Sequence, residues 1–165
     1  MNIVITGKSG VGKTALCQQL VNSLKEKNVS CGGVICPGND AVDLMTNEKR
    51  LFLDEEGIKP SEHCDKFINK DGMSFAVKAV KNAIDKCDFI FIDEYGPLEL
   101  RGKGLAEAIN DALNSHKNIL VIVKKQLKDI FLERYSDFKF EIFDIDKEED
   151  MANARELVKK FIFDS

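Results

Sequence analysis

Near the start of the chain, Gly7-Lys8-Ser9-Gly10-Val11-Gly12-Lys13-Thr14 matches the full G-x-x-x-x-G-K-[ST] pattern. It follows a β-rich run, Asn2 to Thr6, and precedes apolar residues at Leu16, Leu20 and Leu24 whose spacing predicts a helix over 14–25. A strand that turns through glycines into a helix offers backbone N–H groups and the positive end of a helix dipole to an anion. Phosphate suits that arrangement, so the loop, taken through Ala15, is assigned to a polyphosphate. Lys13 then reaches the β- and γ-phosphates, Thr14 offers its hydroxyl to Mg²⁺, and the Lys8 side chain is solvated.

Strand and helix patterns alternate through the rest of the chain. Ser30 to Cys36 reads as a second strand, closed by the turn-forming Pro37-Gly38-Asn39-Asp40. Val42 to Leu44 and Arg50 to Leu53 flank Thr46-Asn47-Glu48 and read as a small β-hairpin insertion. Phe75, Ala76, Ala79, Val80, Ala83 and Ile84 fall on one helical face, and Phe89 to Ile92 is an apolar run of central-strand type. A helix through Leu105, Ile109, Ala112 and Leu113 leads to a strand at Ile119 to Val123, and Leu127, Ile130, Phe131 and Tyr135 mark the next helix. Phe138 to Phe143 follows as a strand, then a helix faced by Leu157, Val158 and Phe161, with Asp146 and Glu149 resembling its capping box. Repeated βα units of this kind predict a three-layer α/β/α fold with a mostly parallel sheet, in a single domain over 1–165.

Asp93-Glu94 ends the central apolar strand, which puts both carboxylates at the sheet edge that bears the loop. Asp93 is suited to the metal shell and Glu94 to orienting or deprotonating an attacking water. Gly96-Pro97 forces a turn after the acids, and Glu99 is either a supporting residue of the site or part of a rigid connector. A transferring phosphoryl group calls for a further cation. Arg101 is the leading candidate by its nearness in sequence, ahead of Lys103, Lys124 and Lys125.

A net charge of -4 provides no global field for nucleic acid or an anionic membrane. No apolar run approaches the roughly 18 residues of a membrane span, and the N-terminus lacks the pattern of a signal peptide, so a soluble cytoplasmic protein is expected. The five cysteines, Cys17, Cys31, Cys36, Cys64 and Cys87, form no Cys-x-x-Cys pair, and with His63 and His116 far apart a zinc site is not expected. Cys17, His63 and His116 read as packing or surface residues.

The run Ile92-Asp93-Glu94-Tyr95-Gly96-Pro97-Leu98-Glu99-Leu100 resembles the signature of the THEP1 family of P-loop nucleoside-triphosphatases. Gly32-Gly33-Val34 and the Ile119 to Val123 strand with its basic pair are similar as well, and the likeness is dense at those places. The resemblance implies a RecA-like or kinase-like sheet and Mg²⁺-dependent hydrolysis of nucleoside triphosphates, ATP or GTP among them, with loose base preference. A nucleotide or small-molecule kinase and a nucleotide-dependent interaction module are the alternatives. A kinase would need more cations around donor and acceptor phosphates than this arginine-poor chain offers.

Overall fold

The computed structural model describes residues 1–62 and 66–163, without the side chains of 158–163. His63 and Cys64 lie outside the described residues, as do the side chains of Val158 and Phe161. The chain runs β1 (Asn2–Thr6), α1 (Lys13–Glu26), β2 (Cys31–Ile35), β3 (Asp40–Asp43), β4 (Lys49–Leu51), β5 (Leu53–Asp54), β6 (Phe67–Ile68), α2 (Lys70–Lys86) and β7 (Phe89–Tyr95). It continues with α3 (Pro97–Leu100), α4 (Ala106–Asn114), β8 (Asn118–Val123), α5 (Lys128–Arg134), β9 (Glu141–Asp144) and α6 (Glu148–Phe163).

Seven strands form one sheet in the order β4-β3-β2-β7-β8-β1-β9, parallel from β2 to β9 and antiparallel at β3 and β4. Alternate residues of each central strand serve opposite faces. Val4, Ile90, Ile92 and Val121 pack towards α2, α4 and α5, whereas Ile3, Ile5, Phe91 and Ile122 pack with residues of α1 and α6. Because helices cover both faces, these strands are apolar throughout rather than alternating. This is the expected three-layer α/β fold. Among the described residues no helix is long and apolar enough to cross a membrane.

Three local expectations change. The predicted hairpin is real, but β3 pairs with β2 and so extends the main sheet, while β5 and β6 form a separate two-stranded pair. The strand expected from Phe138 begins only at Glu141, because the Phe138 N–H closes a turn on the Tyr135 carbonyl and the Phe140 ring packs edge-on against Phe131. Asp146 is not part of a capping box. Its carboxylate accepts the Lys8 amide and pairs with Lys125, which draws it off α6 and towards the glycine loop.

Gly33 sits in β2 at φ +97°, and a Cβ there would collide with the Phe91 carbonyl of the adjoining β7. Gly38 also has positive φ, +68°, but open space around its Cβ position. Gly33→Ala is expected to destabilise by about 3 kcal/mol or more, left-handed strain adding to a backbone collision. Gly38→Ala should lose only about 1–2 kcal/mol. Urea unfolding of the two variants checks the difference.

Candidate functional site

The glycine loop carries the chain from Thr6 into α1 through Gly10 at φ +77° and Gly12 at φ +101°, conformations that glycine enters without penalty. No side chain caps α1, and its first turn holds no acidic residue. The opening amides of the helix, which have no acceptor within it, and the positive end of its dipole are therefore left for an anion. Lys13 folds back over the loop, its Nζ donating to the carbonyls of Gly7 (3.0 Å) and Lys8 (2.8 Å). The Lys8 amide is already engaged, donating to Asp146 Oδ1 at 2.9 Å.

Across from the loop stands the end of β7. Asp93 is buried, and one of its oxygens, Oδ2, accepts from the Thr14 hydroxyl (2.7 Å) and from the Cys36 amide (3.1 Å). Burial pushes the Asp93 carboxyl up to about 6, with the neighbouring Glu94 adding to the rise and the Thr14 and Cys36 hydrogen bonds and Lys13 opposing it. The Cys36 thiol donates to the Asp93 carbonyl at 3.1 Å. Burial, then the charges of Asp93, Glu94 and Glu99, raise that thiol well above its ordinary value, so it remains a proton donor. The pairing of β7 with β8 steps from Asp93 opposite Ile122 to Tyr95 opposite Val123, a bulge that leaves Glu94 outside the ladder. Bulges re-aim side chains in this way, and Glu94 comes within 3.5 Å of the Lys124 ammonium.

Glu99, which sequence left between two roles, is buried, its Oε2 accepting from the Gly96 amide and its Oε1 from the Leu105 amide, both at 3.0 Å. It clips α3 to the turn on one side and to the start of α4 on the other. Burial raises its carboxyl above the usual range, and the amide hydrogen bonds hold it back.

These elements enclose a cavity of about 830 Å³ that brings together Ser9, Gly10, Gly12, Lys13, Thr14 and Ala15 of the loop with Asp93 and Glu94. Gly7, Lys8 and Val11 belong to the loop but do not line the cavity. Val11 instead packs on the apolar cluster between the sheet and α1. Arg101 is not brought in: its guanidinium donates to the Pro60 carbonyl at 2.6 Å and lies in a different surface cleft. Cys36, Glu99 and Lys124 also line the cavity. Cys36 carried no motif signal, although its place at the end of a parallel strand marks the ligand edge.

Helix-start amides facing a strand carboxylate across a glycine turn are the construction of phosphate-loop nucleotide-binding α/β proteins. A family model described as NTPase matches residues 2–162, and the chain belongs to that family. Among its relatives, the nucleoside-triphosphatase THEP1 of Methanopyrus kandleri is 29% identical over 134 residues, covering 76% of this chain and 74% of that protein. The protein of the same name from Thermotoga maritima is 30% identical over 143 residues, covering 81% and 79%. The fold is that of the crystal structure of THEP1 from Aquifex aeolicus, with TM-score 0.71 at 16% identity over 96% of this chain and 99% of that one. The solution structure of a human cancer-related nucleoside triphosphatase also shares it, with TM-score 0.67 at 21% identity over 98% and 95%.

The raised Asp93 carboxyl sets a pH dependence. An unfolded aspartate ionises near 3.8 and this one near 6, so the folded state holds the extra proton between those values and stability falls as pH rises through them. Asp93→Asn keeps an oxygen able to accept both hydrogen bonds and removes the buried charge. In the absence of nucleotide it should gain stability at pH 8 relative to pH 5, by on the order of 1 kcal/mol. Denaturant unfolding of both proteins at the two pH values measures this. An equal change at pH 5 and pH 8 would contradict it.

Proposed function

We propose that this chain is an Mg²⁺-dependent nucleoside-triphosphatase that splits ATP, GTP and related triphosphates to the diphosphate and phosphate in the cavity between the glycine loop and β7. The observation that carries the reading is the 2.7 Å contact between the Thr14 hydroxyl and the Asp93 carboxylate beside the uncapped start of α1. Family membership supports the reaction class. The two oxygen donors fit a hard divalent cation, which prefers oxygen ligands and leans on substrate phosphates for the rest of its shell. Thr14 and Asp93 would hold Mg²⁺, directly or through water, and the ion supplies neutralising charge to the β- and γ-phosphate oxygens when bound.

The chain's own residues do the remainder. Loop amides bind phosphate oxygens, and Lys13 exchanges the Gly7 and Lys8 carbonyls for the β- and γ-phosphates, a stronger, charge-assisted partner. Glu94, set outside the ladder and facing the cavity, orients a water in line with the γ-phosphorus and takes up its proton. The water oxygen forms the new P–O bond, the bond to the β-phosphate oxygen breaks, and its electron pair leaves with the diphosphate. Glu99 holds the turn after Glu94, so the carboxylate faces the cavity from a fixed wall.

Lys13→Ala is expected to lose triphosphate binding, measured by calorimetry with a Mg²⁺-loaded triphosphate. Glu94→Gln should bind with near-unchanged affinity and release phosphate at least about 100-fold more slowly, within the usual range for a general base. Phosphate release from ATP, GTP, CTP and UTP by the unmodified chain, with product analysis in the presence of added nucleoside monophosphates, tests the reaction class. Phosphate should remain the product throughout. Transfer to the added nucleotide would mark a kinase instead.

A further inference from the structure

Phosphoryl transfer develops charge that a loop lysine and a metal do not fully meet, and a second side-chain cation commonly supplies the rest. Among the described residues, the cationic side chains that line the cavity are Lys13, Lys66 and Lys124. Lys66 is engaged at the rim, donating to Asn39 Oδ1 at 2.6 Å. The guanidinium groups of Arg101 and Arg134 are turned to backbone carbonyls, Arg101 to Pro60 and Arg134 to Glu99 and Leu100. Lys125 is held by Asp144 and Asp146.

Lys124 differs from all of these in its partner. Its ammonium stands 3.5 Å from Glu94 Oε1, with both side chains 31% exposed. Its backbone is fixed at the end of β8, the N–H donating to the Tyr95 carbonyl at 3.2 Å. Its side chain then passes over Gly96, where an added Cβ would meet Lys124 Cε at 3.6 Å. The bare glycine thus lies beneath a lysine guided onto the Glu94 carboxylate, which lines the same cavity as the glycine loop. At 3.5 Å the pair is looser than a direct hydrogen bond, and partly exposed pairs of this kind contribute about 0–1 kcal/mol. A multiply charged phosphoryl group brought into the cavity would be the stronger partner.

We propose that Lys124 is a further catalytic residue, whose ammonium passes from Glu94 to the γ-phosphoryl oxygens when a triphosphate fills the loop. The inference rests on the hydrolytic reading above. The exchange places a cation on the group being transferred and releases the Glu94 carboxylate to accept hydrogen bonding, and then the proton, from the attacking water. The lysine contributes charge and transfers no proton in this step, so the proton balance of hydrolysis is unchanged.

The test separates contact with phosphate from mere neutralisation of Glu94. Lys124→Ala should lower kcat by roughly 100- to 1000-fold, and Lys124→Arg should recover most of it. Binding of a non-hydrolysable triphosphate and of the diphosphate is then compared in Glu94→Gln and in Glu94→Gln/Lys124→Ala. With the acid already neutral, loss of the lysine should cut the triphosphate-over-diphosphate preference about tenfold and leave diphosphate affinity unchanged, which also shows that the variant is folded. An unchanged preference in that background overturns the proposal, as does full turnover in Lys124→Ala. If the unmodified chain binds no triphosphate at all, the hydrolytic reading itself fails, and that result is distinct from either.

Discussion

The hydrogen bond from Thr14 to Asp93 joins elements that are not neighbours in the sheet. Thr14 stands at the start of α1, which leaves β1, and Asp93 lies near the end of β7, with β8 lying between the two strands. Ile5 and Asp93 are both level with Ile122 of β8, and the contact depends on that shared register. A slip of one residue would turn Asp93 to the other face of the sheet. The same carboxylate oxygen accepts from Cys36, just beyond β2, so two strands and a helix converge on one atom. The charge held there is expensive, as the elevation of the Asp93 carboxyl to about 6 shows. A sheet covered on both faces by helices is the kind of core that can sustain such a local penalty.

Glu99 performs the equivalent task for the opposite wall. The turn at Gly96 lies beyond the last β7–β8 pair, Tyr95 with Val123, and α3 is a single turn. Two amide hydrogen bonds to one buried carboxylate, with Gly104 at φ +59° bringing the chain close against it, supply what the missing pairing would have given. Leu98 is buried in the core at the same time. The segment is therefore both connector and site wall. Its carbonyls carry the link further: Arg134 of α5 donates to Glu99 and Leu100 and to the Tyr95 hydroxyl, tying the wall to the aromatic cluster of Tyr95, Phe131 and Tyr135.

Legibility in the sequence followed the length and regularity of each signal. The strands at Asn2, Phe89 and Asn118 are buried on both faces and read directly as apolar runs, and α2 and α4 show clean helical faces. β5 and β6 are two residues each, too short for any periodicity to register. The loop and the acidic pair were visible because their chemistry is local in sequence. Cys36, Glu99 and Lys124 gain their places from tertiary geometry, through a strand end, a buried clip and a β-bulge beside a neighbouring strand. Asp146 was misread for a related reason. A carboxylate before a helix suits a cap, and only the return of β9 beside β1 shows that the glycine loop is within its reach.

The charged and polar groups at and around this site lean on protein partners. Lys13 rests on two loop carbonyls, Lys124 on Glu94, Lys125 on Asp144 and Asp146, and the Thr14 hydroxyl on Asp93. Ligand binding at such a site replaces one set of partners with another rather than satisfying groups that were bare, and the lost contacts subtract from the affinity gained. The subtraction is uneven. Under the proposed exchange a triphosphate gives Lys13 and Lys124 a better partner, whereas a diphosphate would offer nothing at the γ position and leave Lys124 on Glu94. Stored pairings of that kind, if exchanged as proposed, would weaken product more than substrate and favour turnover over tight retention of the diphosphate.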